Sequence, residues 1–232
     1  MKPKISQFWR LWFLNERKYD TVNRLSVRYH AIEMYIKGKN VLDFCFGSGF
    51  FLKKLASSRN YCLYGIDLPN FKRKLPKNVK IFLIKDFDSL KTIHMPIKFD
   101  TILVSEVIEH LTLREMRIVF RFFSKWLNKK GRLIISVPYK ENIKYSTVLC
   151  PYCLRWFHPW LHKQSFDEES LKILLIKRGF VVAKIYYITL LDFWHIPSLL
   201  KKITNSLLLT FFKNRFKFIV WIVVIAKKLD MY

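Results

Sequence analysis

The chain has 232 residues, 51% of them hydrophobic and 17% aromatic, and a formal net charge of +25. It is long enough for one α/β domain with a sizeable core and too apolar for intrinsic disorder. Four cysteines in a chain of this length make no disulfide framework and point to a reducing, cytoplasmic setting. The apolar patch from Phe8 to Leu14 is cut by Arg10, so it is not expected to act as a secretory leader. The charge favours polyanions, anionic membrane surfaces among them. No basic run interleaved with aromatics marks a nucleic-acid site, so nucleic acid is the less favoured partner.

A helix is predicted over 15–37, with Val22, Leu25, Tyr29 and Ile32 on one side. Strands follow near 40–44, 61–66, 80–84 and 99–104. The first runs through VLDFCFGSG, where Gly47 and Gly49 allow a sharp bend and a close ligand approach, and Asp43 sits at its carboxyl end. Asp67 closes the second strand, 24 residues after Asp43, where an acid can accept from ribose hydroxyls. Asp86 ends the third, and Ser105, Glu106, Glu109 and His110 lie just past the fourth. Thr112–Glu115 reads as a capping box for a helix that turns Leu113, Met116, Phe120, Phe123 and Leu127 toward the sheet. Gly131 opens a strand over 131–137. A second capping box, Ser165 to Glu168, precedes Leu171, Leu174 and Leu175, and Gly179 ends that helix.

The last strands are predicted near 180–187 and 218–226. Phe218 to Ala226 is continuously apolar, but its 9 residues are too few to cross a bilayer. Between these strands, Leu200, Ile203, Leu207 and Phe211 form an apolar stripe flanked by lysines and Arg215. That pattern suits either an anionic membrane surface or packing as a lid or dimer face. The whole reads as one α/β domain over 1–232, a doubly wound Rossmann-like sheet of seven strands with flanking helices. It divides into an N-terminal helical segment (1–38), a core (39–188), an amphipathic insert (189–215) and a final strand (216–228).

These motifs resemble class I S-adenosylmethionine-dependent methyltransferases of the small-molecule type, from about Lys39 to Ile188. VLDFCFGSG matches the D-x-G-x-G-x-G loop of that family with Cys45 in place of its first glycine, and YGIDL, KDF, SEVIEHL and GRLIISVPY match in order. The resemblance implies S-adenosylmethionine as cofactor. Asp43, Cys45, Gly47 and Gly49 would lie along it, Asp67 and Leu68 at the ribose, Asp86 and Phe87 beside the adenine, and Ser105 and Glu106 past the fourth strand. It also implies a methyl acceptor that is a small molecule or is linked to a lipid or glycan. The alternatives are an RNA or protein methyltransferase, and a binding protein that keeps the fold without catalysis.

Cys150, Cys153, His158 and His162 are spaced C-x2-C, x4, H-x3-H, in the loop 150–162. Two thiolates and two imidazoles at such reach suit a structural zinc site. The other reading is a loop of reduced cysteines in which His162 faces the substrate. A hydroxyl acceptor needs a base; Glu109, His110, Tyr139 and His162 are the candidates, His110 first because imidazole titrates near neutrality. Against this stands the reading that Glu109 and His110 only shape the pocket wall.

Overall fold

The computed structural model describes residues 22–58, 60–68, 74–189 and 219–229. The stripe at Leu200, Ile203, Leu207 and Phe211, and the part of the N-terminal segment before 22, lie outside the described residues.

The elements run α1 (Val22–Glu33), β1 (Asn40–Phe44), α2 (Phe50–Ser58), β2 (Cys62–Asp67), β3 (Val79–Leu83), β4 (Phe99–Ser105), α3 (Leu113–Trp126), β5 (Leu127–Pro138), β6 (Val148–Leu149), β7 (Trp156–Phe157), α4 (Glu168–Lys177), β8 (Phe180–Thr189) and β9 (Ile219–Lys228). Seven strands form one sheet in the order β3-β2-β1-β4-β5-β9-β8, and β6 pairs with β7 in a separate hairpin. Pairing is parallel from β3 through β5, and β9 runs antiparallel to both β5 and β8.

Both faces of the sheet are covered, so its strands are apolar on both sides. Leu42 and Phe44 of β1 face a layer with Met116, Phe120 and Phe123 of α3 and Leu171 and Leu175 of α4. Val41 points the other way, to Tyr29 and Ile32 of α1 and Leu52 and Leu55 of α2. Because β1 pairs parallel with both β2 and β4, the carboxyl ends of the three strands lie along one edge, where the glycine turn and the acids stand.

Thr112 caps α3 as expected: its side chain accepts from the Glu115 N–H while Glu115 reaches back to the Thr112 N–H. Leu113 corrects the expected stripe, because it is 62% exposed. It is the first residue of the helix, ahead of the turn that winds onto the sheet. The second cap is also shifted. Asp167 and Ser170 form it, since Phe166 is still bridged to Tyr139 as extended chain. Among the described residues, no helix is long and apolar enough to cross a membrane.

Candidate functional site

Leaving β1, the chain takes left-handed backbone at Cys45 (φ 56°), Gly47 (φ 53°) and Gly49 (φ 71°). The Cys45 N–H still donates to the Ile66 carbonyl at 2.7 Å, which ties the start of the turn to β2. A Cβ on Gly49 would fall 2.4 Å from Leu75 Cδ2, which would have to move aside, and the left-handed backbone is strained for any residue with a side chain. Asp67, at the end of β2, accepts from the Gly47 N–H at 3.0 Å through Oδ2 and from the Leu68 N–H at 2.8 Å through Oδ1. Asp43 and Asp67 are both buried. Burial pushes the Cys45 thiol well up, and the charges of Asp67 and Asp43 add to the shift.

Asp86 lies past the end of β3 rather than at it, since the strand stops at Leu83. It caps a short 3-10 turn, Phe87–Lys91, accepting from the Ser89 hydroxyl at 2.8 Å and the Ser89 N–H at 2.9 Å. Those two bonds hold its carboxyl below the usual range. Phe87 stacks on Phe44 with ring centroids 6.3 Å apart.

At the end of β4 the Ser105 and Ser136 hydroxyls share a hydrogen bond of 2.8 Å. Glu106 follows with φ 54°, a rare conformation for a side chain of its size. Its N–H donates to the Ser136 carbonyl at 2.9 Å. Its carboxylate accepts from the Ser136 hydroxyl at 3.3 Å and the Trp221 indole at 2.7 Å, with Arg28 Nη1 3.5 Å away. The Arg28 guanidinium also lies over the Trp221 ring, 4.9 Å from its centroid. Arg28 and Trp221 were not foreseen. The only local sign was an arginine one residue from Tyr29 on the apolar side of its helix.

Beyond Glu106, a short turn (Ile108–His110) carries Glu109 and His110. The Glu109 side chain is buried, neither carboxylate oxygen has a hydrogen-bond partner among the described residues, and His110 Nε2 stands 3.9 Å off. Burial pushes the Glu109 carboxyl well up, with the Glu106 charge adding. Burial likewise lowers His110, to about 3, with the neighbouring His162 contributing. An imidazole held neutral so firmly is a weak proton acceptor, which counts against His110 as the base. Tyr139 is no better placed: its hydroxyl donates to Glu168 at 2.9 Å, and burial and that bond push its pKa up.

The loop after β5 is fastened to this turn, because the Lys163 and Gln164 N–H groups donate to the Glu109 carbonyl at 2.7 and 3.0 Å. His162 thereby packs edge-on against His110, with ring centroids 4.6 Å apart. Glu141, another residue that the sequence did not single out, accepts from His162 Nδ1 through one oxygen and meets His158 Nε2 at 3.1 Å through the other. The His162 N–H donates to His158 Nδ1 at 3.3 Å, which fixes the His158 proton on Nε2.

The structure therefore divides the four expected zinc ligands. His158 and His162 turn to Glu141, and among the described residues neither thiol joins a group of three ligand atoms lying within 4.8 Å of one another. Cys150 and Cys153 sit at the tip of the β6–β7 hairpin. There the backbone N–H groups of Cys153 and Tyr152 lower the Cys150 pKa.

A family model described as a methyltransferase domain matches residues 13–185. No curated protein matches the sequence significantly. Among solved structures, a SAM-dependent methyltransferase from Archaeoglobus fulgidus is 24% identical, with a TM-score of 0.61 over 94% of this chain and 99% of that one. The 1,6-didemethyltoxoflavin-N1-methyltransferase of Burkholderia thailandensis, solved with its substrate and S-adenosylhomocysteine, is 13% identical, with a TM-score of 0.64 over 97% of this chain and 88% of that one. The Haloferax volcanii putative methyltransferase, in complex with the Trm112 activator, is 16% identical, with a TM-score of 0.65 over 96% and 98%. At these identities the likeness shows the fold.

Proposed function

The chain belongs to the methyltransferase-domain family, and from that premise we propose that it transfers a methyl group from S-adenosylmethionine to a small-molecule or lipid- or glycan-linked acceptor. The observation that carries the cofactor's place is Asp67. Its two oxygens take the Gly47 and Leu68 N–H groups, which holds the carboxylate at the end of β2, where an acid of this fold meets the ribose hydroxyls. The left-handed turn at Gly47 and Gly49 leaves main chain, not side chain, beside the amino-acid portion. Glu106 supports that end, and Asp86 and Phe87 the adenine end. Two neighbours in structure, the 1,6-didemethyltoxoflavin-N1-methyltransferase and a glycopeptide N-methyltransferase, support the acceptor class.

S-adenosylmethionine supplies a methyl on a sulfonium, so the leaving group needs no activation by the protein. What the chain's own residues contribute is position: the walls at Glu109, His110 and Tyr139 hold the acceptor in line. The lipid-linked arm draws support from the hairpin, where Tyr152 and Trp156 are exposed in a chain of net charge +25. The four free cysteines support a reducing, cytoplasmic compartment.

Calorimetry with S-adenosylhomocysteine tests the cofactor assignment. Asp67→Ala should bind about tenfold to a hundredfold more weakly than wild type, the loss of hydrogen bonds to a charged group. Equal affinity would remove Asp67 from the site. Transfer of labelled methyl into cell extract, then split into lipid, small-molecule, RNA and protein fractions, tests the acceptor. Label in RNA or protein alone would overturn the acceptor class.

A further inference from the structure

Only 17 of the 232 residues are acidic, against 42 that are basic, yet the charges of Glu106 and Glu141 both reach the buried Glu109. We propose that Glu109, His110 and His162 bind one divalent transition-metal cation, with Glu141 as the outer carboxylate that orients His162.

Glu109 is the primary observation. Its side chain is 1% exposed, both oxygens lack a hydrogen-bond partner among the described residues, and His110 at 3.9 Å is beyond hydrogen-bond reach. A carboxylate buried in this way is costly unless a cation or donor meets it. Beside it, one donor atom each from Glu109, His110 and His162 lie within 4.8 Å of one another. Donors about 2.1 Å from a shared ion stand about 3.4 Å apart, so modest side-chain rotations close the set.

The surroundings fit the same ligand. Glu141 accepts a hydrogen bond from His162 Nδ1–H, the tautomer that carries its ring lone pair on Nε2. A carboxylate behind a ligating imidazole is the usual outer arrangement of such sites. The bonds from Lys163 and Gln164 to the Glu109 carbonyl lock the His162 loop against the Glu109 turn, so the donors are preorganised by main chain. Two imidazoles and one carboxylate favour zinc, cobalt, nickel, iron or manganese over magnesium or calcium. Three protein ligands leave a coordination position for an oxygen donor, unlike a closed four-ligand site. The site shares only His162 with the Cys150–Cys153–His158–His162 set and needs neither thiol.

Equilibrium dialysis of the chelator-treated full chain against Zn2+, with Co2+ as a spectroscopic probe, tests this. About one equivalent of Zn2+ should bind to wild type and to the Cys150→Ser/Cys153→Ser double variant alike. Glu109→Gln and His162→Gln should each weaken it by about tenfold or more, and Glu141→Gln by about tenfold. Co2+ should give visible bands without the sulfur-to-metal charge-transfer band of a thiolate ligand. Should Glu109→Gln fail to fold, as judged by S-adenosylhomocysteine binding and circular dichroism, His162→Gln and Glu141→Gln carry the test. Absence of stoichiometric binding by wild type, or binding abolished by the serine pair and untouched by Glu109→Gln and His162→Gln, would overturn the proposal.

Discussion

The Trp221 indole N–H donates to Glu106 Oε2 across 2.7 Å, joining residues 115 positions apart. Through this bond the end of β4 is held by β9 and, via Arg28 at 3.5 Å, by α1. Trp221→Phe keeps an aromatic ring but removes the donor to a charged acceptor along with some buried volume, and should cost about 2 kcal/mol of stability or more. Urea denaturation followed by circular dichroism measures it. A midpoint equal to wild type would mean that the indole donor adds nothing to the stability of the fold.

Gly49→Ala tests the turn. The left-handed backbone (φ 71°) penalises any Cβ by about 1–2 kcal/mol, and Leu75 Cδ2 must also move aside. Both lower stability, and displacement of the turn should weaken S-adenosylhomocysteine binding as well. Thermal melting with and without that ligand separates the two effects. A variant with wild-type melting and affinity would show that the turn is not constrained at this residue.

The thiols should differ in reactivity. Burial and two carboxylates raise Cys45, whereas backbone N–H groups lower Cys150. Only the thiolate reacts with iodoacetamide, so near neutral pH Cys150 should be alkylated faster by on the order of tenfold or more. Peptide mass spectrometry over a time course reads this directly, and comparable rates would contradict it.

Acid should destabilise the fold partly through Glu168. Burial opposes its ionisation, but hydrogen bonds from Tyr187 and Tyr139 outweigh that and hold it below its ordinary 4.5. A depressed folded-state pKa contributes stability that is full above the unfolded value and is lost as pH falls through the folded one. In Glu168→Gln, the decline of melting temperature below about pH 4.5 should therefore be shallower than in wild type. Parallel curves would assign the acid limb to other carboxylates.

The sheet was legible because each strand is a short apolar run bounded by a turn signal, and each helix stripe repeats at its own period. The seven predicted strands and the Thr112 cap lie within a few residues of their observed places. What escaped was tertiary. Nothing local to Glu141 announces that two imidazoles from residues 158 and 162 will close on it, so the histidines were paired with the nearer cysteines instead. Arg28 and Trp221 converge on Glu106 from opposite ends of the described chain. Leu113 failed for a simpler reason: periodicity names a stripe but not the turn at which it reaches the sheet. The β6–β7 hairpin has two-residue strands, too short to leave a period.

Strand β9 follows β8 in the chain yet lies between β5 and β8. During synthesis β8 therefore emerges before its native partner, and β5 exposes the side that β9 will later take. Until β9 arrives, two ladders' worth of unpaired amides and carbonyls face water, beside a slot shaped for one strand. A ribosome paused between them would hold a nascent chain exposed to strand addition from its neighbours, and chaperone demand should be concentrated in that interval.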